Sequence, residues 1–262
     1  MELAVRGQKT FAATGGRPFD PVLPTVIFVH GAGMDHTVWA LQTRYFAHRG
    51  RSVLAVDLPG HGKSEGEALS SIGDIADWLA DLVAAVGLDQ AALAGHSMGA
   101  LAVLETAARF PSRVRSLSLL GVAPLMPVHP DLLAAAEAND HQAFDLVNSW
   151  GHGATGHIGG AKVPGLWLMG GANRLLERVA PGVLFTDMTA CNAYQGAMEA
   201  ATKVACPTLF VLGAGDKMTP AKAGTKLAQA VDDARSVVIP DSGHMMMLEK
   251  PDQTLAALKE IF

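Results

Sequence analysis

The stretch Ala91 to Ala100, AALAGHSMGA, constrains this chain more than any other, because an apolar run enters a serine set between two glycines and leaves as a helical pattern. A strand that turns at once into a helix crowds the residues beside the turn. In Gly95-His96-Ser97-Met98-Gly99 the glycines supply the room that β-carbons would fill. Such a turn lifts the serine hydroxyl above the strand end. It also leaves the next N–H, on Met98, at a helix start, where N–H groups are unpaired and the dipole favours an anion. Short motifs recur by chance, so the flanks carry the reading. Gln90 to Ala94 is a short apolar run after Gly87, and Ala100 to Phe110 reads as a helix closed by Pro111. A nucleophile and half of an oxyanion site are expected here.

The rest of the chain supplies the frame. With 262 residues and 49% apolar content it can bury the core of one large α/β domain, or of a domain with an insertion. The net charge of -5, with no dense run of Lys or Arg, excludes the electrostatic footprint of nucleic-acid binding and points to a small-molecule partner. Met1 to Arg6 lacks the layout of a signal peptide, and no apolar stretch reaches the length of a membrane span. A soluble, cytoplasmic protein is expected, without membrane partners and compatible with a homodimer. The two cysteines, Cys191 and Cys206, do not make a disulfide scaffold and read as small packed residues.

In chain order, Glu2 to Ala13 suggests an opening strand or hairpin, and Thr25 to His30 is a β-branched and aromatic run of the kind buried on both faces of a parallel sheet. A helical stretch from about His36 to His48, a strand at Ser52 to Val56, and an amphipathic helix from Ser71 to Val86 follow. After the serine turn and its helix comes a strand at Val114 to Leu120. This alternation predicts right-handed crossovers building a mostly parallel sheet flanked by helices. The rhythm stops at Gly121 and resumes at Pro207 to Gly213, with a helix from about Pro220 to Val231, a strand at Ser236 to Pro240 and a last helix from Leu248 to Ile261. The expected organisation is a core over residues 1–121, a helical insertion over 122–205 and the remaining core over 206–262.

A serine needs an adjacent base, and the base an orienting acid. His244 stands in Asp241-Ser242-Gly243-His244, directly after the last strand, and Asp216 stands in the corresponding loop after the preceding strand. Open α/β sheets place ligands at the C-terminal ends of their strands, so both loops open on the same edge as Ser97. The order Ser97, Asp216, His244 is that of a nucleophile-elbow hydrolase, and no carboxylate follows the strand at Leu117 to Leu120 to compete as the acid.

On His30-Gly31-Ala32-Gly33, Asp57-Leu58-Pro59-Gly60-His61-Gly62 with Ser64, Gly95-His96-Ser97-Met98-Gly99, Gly213 and Gly215-Asp216 with Thr219-Pro220, and Ser242-Gly243-His244, the chain resembles an α/β-hydrolase-fold serine hydrolase with a helical cap over nearly its whole length. The resemblance implies a second backbone oxyanion donor, Ala32, beside Met98. No cofactor is expected. Relatives with an aspartate nucleophile are disfavoured by the serine at the elbow. The leading expectation is a carboxylesterase-type enzyme acting on small, mainly neutral esters through an acyl-enzyme. Hydrolysis of carbon–carbon bonds in ring-cleavage diketones, where relatives often carry Asn in place of His96, stays open, as do lactonase, perhydrolase and acyltransferase activity. A ligand receptor on the same fold is the reading from another class.

Residues adjoining the motifs are mostly apolar, and Met34, Leu125, Met126, Trp150, Trp167 and Met245 are the expected substrate contacts. Met245-Met246-Met247 suits either pocket or core. The insertion holds four cations, Lys162, Arg174, Arg178 and Lys203, each read as a solvated charge. The passage Gly151 to Gly171, with eight glycines in 21 residues, is the expected mobile part of a lid. Its match to a dinucleotide fingerprint follows a helical stretch and leads into no helix, and Gly62-Lys63-Ser64 lacks the first glycine of a P-loop. His152 and His157 have no ligand partners at zinc-site spacing and read as solvated loop residues, so no metal is expected.

Overall fold

The computed structural model describes residues 1–157, 159–160 and 165–262. Glu2–Val5 (β1) and Gln8–Ala13 (β2) form an antiparallel hairpin around Arg6 and Gly7, whose φ angles of 52° and 77° are those a two-residue hairpin turn needs. Thr25–Val29 (β3), Ser52–Val56 (β4), Ala91–His96 (β5), Val114–Leu120 (β6), Thr208–Gly213 (β7) and Ala234–Ile239 (β8) pair in parallel. The sheet runs β1-β2-β4-β3-β5-β6-β7-β8, with β2 joining β4 antiparallel.

Strand side chains alternate between two apolar layers. Ile27, Val29, Leu54 and Val56 face one, with Ile75, Leu79 and Leu82 of Ile72–Ala85 (α2) and Leu101 and Leu104 of Met98–Arg109 (α3). Val26, Phe28, Val53 and Ala55 face the other, with Phe46 of Ala40–Ala47 (α1) and Leu258 of Pro251–Leu258 (α11). Burying each of the larger side chains contributes about 1.5–3 kcal/mol, which is why continuous apolar strands form the centre. Ser71 caps α2 by accepting the N–H of Asp74.

Between β6 and β7 lie five helices and, among the described residues, no strand: Pro130–Glu137 (α4), Gln142–Gly151 (α5), Leu168–Leu176 (α6), Val183–Ala193 (α7) and Ala197–Ala201 (α8). Their buried residues, among them Leu132, Val147, Leu176, Leu184 and Met188, join the apolar layer that holds α2 and α3. Ala221–Ala228 (α9) follows β7.

Two elements differ from expectation. The stretch from His36 opens as a 3-10 turn, His36–Trp39, before α1. The last helix is broken into Met246–Glu249 (α10) and α11, because Pro251 carries no N–H and drives Lys250 to φ -135°, ψ 60°.

Candidate active site

The elbow is a place of close approach. Ser97 takes φ 54°, ψ -116°, a positive φ held for a non-glycine residue by its surroundings. A Cβ on Gly95 would lie 2.2 Å from the carbonyl oxygen of Gly99, and one on Gly99 would lie 2.5 Å from that of His30. Backbone atoms on both sides cannot yield, so both positions require glycine. The Ser97 N–H donates to the Leu120 carbonyl at 2.9 Å, anchoring the turn to β6.

Asp216 leaves β7 and His244 leaves β8, and their side chains meet. His244 Nδ1 donates to Asp216 Oδ2 at 2.8 Å, with both side chains buried. The carboxylate also accepts the N–H groups of Met218 and Thr219 at Oδ1, at 2.9 and 2.8 Å, and the Thr219 hydroxyl at Oδ2, at 2.7 Å. Burial penalises its charge, but the His244 ring and these donors outweigh that and hold Asp216 below the ordinary carboxylate range. With Nδ1 donating, His244 Nε2 carries the lone pair. It is buried without a hydrogen-bond partner among the described residues, and His244 lines the same cavity as Ser97.

Three residues that sequence reasoning did not connect with His244 hold it and its partner in place. Thr219 fixes the carboxylate through its hydroxyl. Gly121, with φ 59°, stands where a Cβ would lie 2.9 Å from the His244 ring, so it gives the ring its place. His96 Nε2 donates to the His244 carbonyl at 2.9 Å. The His96 ring is neutral, since burial and the nearby His244 hold its pKa well below the usual value.

Beyond β3, the Met34 N–H donates to the Gly31 carbonyl at 3.2 Å and the Gly33 N–H to Asp187 at 2.8 Å. Among the described residues no acceptor takes the Ala32 N–H between them. Ala32 and Ser97 line one cavity, and Met98 follows Ser97 at the start of α3. Beyond β4, Asp57 organises its own loop. It accepts the backbone and ring N–H groups of His36, at 2.7 and 2.8 Å, and the Lys63 N–H at 2.9 Å, while its carbonyl accepts the Ser64 hydroxyl.

The cavity beside Ser97 holds about 390 Å³ and is bounded by Ala32, His244, Thr219, Met218 and Lys217 on the sheet side, and by Met126 to His129, Leu132, Trp150, Met188 and Cys191 on the helical side. A narrower recess past Ser97 is lined by Met34, Val147, Asn148 and Met245. Of the expected contacts, Met34, Met126, Trp150 and Met245 thus meet Ser97. Leu125 and Trp167 do not: they stand 53% and 48% exposed and line neither space, Leu125 pointing away where its neighbour Met126 turns inward and Trp167 standing at the start of α6. Met246 and Met247 open α10 and are core residues.

None of the described insertion cations lines the cavity: Arg174 pairs with Glu177, Arg178 lies 3.8 Å from Asp35, and Lys203 pairs with Glu199. Lys162 and part of the Gly151–Gly171 passage lie outside the described residues. Among the described residues, the Lys or Arg that lines the cavity is Lys217, an exposed residue directly after Asp216. His152 is buried, not solvated, with Nδ1 donating to the Asn148 carbonyl at 3.0 Å, while His157 is exposed. Among the described residues, three groups of metal-ligand type come together at Asp35, His36 and Asp57. They line neither space beside Ser97, and the Asp57 oxygens and Asp35 Oδ1 already accept donors.

The comparisons with known proteins match this architecture. The chain is 31% identical over 255 residues, 90% of its length and 93% of the relative's, to the pimeloyl-[acyl-carrier protein] methyl ester esterase of Chromobacterium violaceum. It is 26% identical over 245 residues, 89% of its length and 88% of the relative's, to the (E)-2-((N-methylformamido)methylene)succinate hydrolase of Acinetobacter baylyi. A solved thermophilic esterase superposes with a TM-score of 0.82 at 26% identity, covering 99% of this chain and 95% of that one. With residues 26–258 matching the model of that family, the chain belongs to the alpha/beta hydrolase family.

Proposed function

We propose that this protein is a serine hydrolase of small, mainly neutral carboxylic esters, working through Ser97, His244 and Asp216 by way of an acyl-enzyme. The observation that carries the reading is the buried, unpartnered Nε2 of His244, held in the accepting tautomer by Asp216 and sharing a cavity with a serine in a strained elbow.

Ser97 attacks the ester carbonyl while His244 Nε2 takes the hydroxyl proton. The oxyanion forms against the N–H groups of Ala32 and Met98; one such donor is worth about 3 kcal/mol of transition-state stabilisation. His244 then returns the proton to the leaving alcohol, and a water activated by the same nitrogen hydrolyses the acyl-enzyme. Met126, Val128, Leu132, Trp150, Met188 and Cys191 suit an uncharged acyl chain. The esterase names among the relatives favour the same bond type. The five helices between β6 and β7 act as the cap.

Two measurements test this together. A serine-directed fluorophosphonate should label Ser97, and a panel of p-nitrophenyl esters, lactones and ring-cleavage diketones should show the esters turned over fastest. Labelling without ester turnover would reassign the reaction; no labelling at Ser97 would overturn the mechanism and leave the ligand receptor.

A further inference from the structure

Asp187 on α7 is buried, its side chain 1% exposed, and the triad makes no use of it. Its Oδ2 accepts two donors at 2.8 Å each, the Gly33 N–H of the loop after β3 and His61 Nε2 of the loop after β4. Two loops thus meet on one oxygen of a residue more than a hundred positions further along the chain.

The His61 ring states its own charge. Nε2 faces the Asp187 carboxylate and Nδ1 lies 2.9 Å from the Pro59 carbonyl. With Asp187 ionised, both partners only accept, so both ring nitrogens carry protons and the ring is an imidazolium. The charged groups around it are Asp187 and Asp57, with the His30 ring 4.8 Å away. His30 is the opposite case: Nε2 accepts the Leu58 N–H and Nδ1 donates to the Gly31 carbonyl, which a neutral ring satisfies. Burial alone would strip the His61 proton, but the Asp187 carboxylate outweighs it, and its pKa stands above the ordinary histidine value. A buried carboxylate without such a partner would be costly.

The Gly33 N–H belongs to the peptide plane that carries the Ala32 carbonyl. Fixing that plane leaves only the two single bonds at the Ala32 Cα between it and the Ala32 N–H. Leu184 of α7 and Leu176 of α6 pack against the same peptide, since a Cβ on Gly33 would lie 2.9 and 3.0 Å from them.

We propose that Asp187, paired with a charged His61, is a positioning residue through which the helical segment aims the Ala32 N–H at the oxyanion, so that the hole is complete only when α7 is seated. This rests on the serine-hydrolase reading above, in which Ala32 supplies one of the two donors. The acceptor is needed most where negative charge develops, so its loss should act on kcat more than on KM.

The test compares wild type, Asp187→Ala and Asp187→Asn on one p-nitrophenyl ester, with rates divided by the number of sites titrated to completion by fluorophosphonate. Asp187→Ala is expected to lower kcat per titrated site by at least about tenfold with KM changed by less than about threefold. Asp187→Asn keeps an oxygen for the Gly33 N–H and should recover part of that loss, which also provides a folded variant should the alanine form not accumulate. Side-chain ¹⁵N spectra of the Ser97→Ala protein at pH 7.5 should show both His61 nitrogens protonated, a readout independent of turnover. A lower melting temperature with unchanged kcat per site, or a neutral His61 ring, would overturn the positioning role. A wild type that neither labels nor turns over esters would instead bring down the hydrolase reading, and the proposal with it.

Discussion

The carbonyl of Gly151, at the end of α5, accepts the N–H of His244 at 2.8 Å, so the helical segment is bonded directly to the residue proposed as the base. Glu249 closes the same junction. Its carboxylate accepts the Gly243 N–H at 3.0 Å and the Gly153 N–H at 2.9 Å, one from each side of the seam. At this end the segment cannot lift without loosening His244.

Glu249→Ala should therefore act on both stability and rate. Two backbone N–H groups lose their acceptor, at about 1–3 kcal/mol for each buried group left unpaired. The expected outcome is a clearly lower melting temperature together with a lower kcat. A variant that loses stability while keeping the wild-type rate would show that the junction does not govern His244.

Ser97→Ala is expected to abolish turnover and leave melting nearly unchanged, since the turn is held by the close approaches at Gly95 and Gly99 and by the Ser97 backbone N–H. Gly99→Val should instead lower the melting temperature or misplace Ser97, because it drives side-chain atoms onto the carbonyls of Val29 and His30. Parallel thermal melts and ester assays of the two variants separate the roles.

Asp216→Asn removes the acceptor that keeps the proton on His244 Nδ1, and an amide in its place favours the opposite tautomer. A loss of kcat on the order of 10⁴ is expected, as in triads generally. Steady-state rates with one activated ester decide it; a loss under tenfold would point to another acid.

For acyl selectivity, a butyl ester should exceed its carboxypropyl counterpart by tenfold or more in kcat/KM, because an unpaired carboxylate in the apolar cavity costs upwards of about 1.4 kcal/mol. Lys217, which lines the cavity, is the cation placed to reverse this. Should the charged ester prove better, Lys217→Ala ought to abolish the advantage, whereas Arg174 and Arg178, paired elsewhere, should leave it untouched.

Acid stability should reflect the buried neutral histidines. Burial, with His61 charged beside it, lowers His30 from 6.5 to about 4, so the unfolded chain takes up a proton across that interval and the folded one does not. Stability is full above about pH 6.5 and falls towards pH 4, by about 3 kcal/mol from His30 alone. His61, shifted upward, works in the other direction: its contribution is present below about pH 6.5 and is lost as pH rises through its own higher pKa. Urea midpoints measured from pH 8 to 4 check this, and His30→Gln should flatten the acid side.

What the sequence by itself determined was local. A buried parallel strand is a continuous apolar run, an amphipathic helix repeats at 3.6 residues, and a turn that tolerates only glycine says so in five letters. From these came the sheet rhythm, the elbow at Ser97, and the loops that carry Asp216 and His244. The tertiary structure decided whatever depends on which surfaces of distant segments meet. Leu125 and Trp167 are as apolar as Met126 and Trp150, yet only the latter pair faces Ser97, because helix docking sets direction and composition does not. Asp187 reads as one more helical acid, and only the docking of α7 brings it to His61 and Gly33, 126 and 154 residues away. Glu249 and Gly151 are likewise silent in one dimension. Hydrogen bonds that close across such separations follow no period, so they become visible only when the chain has packed.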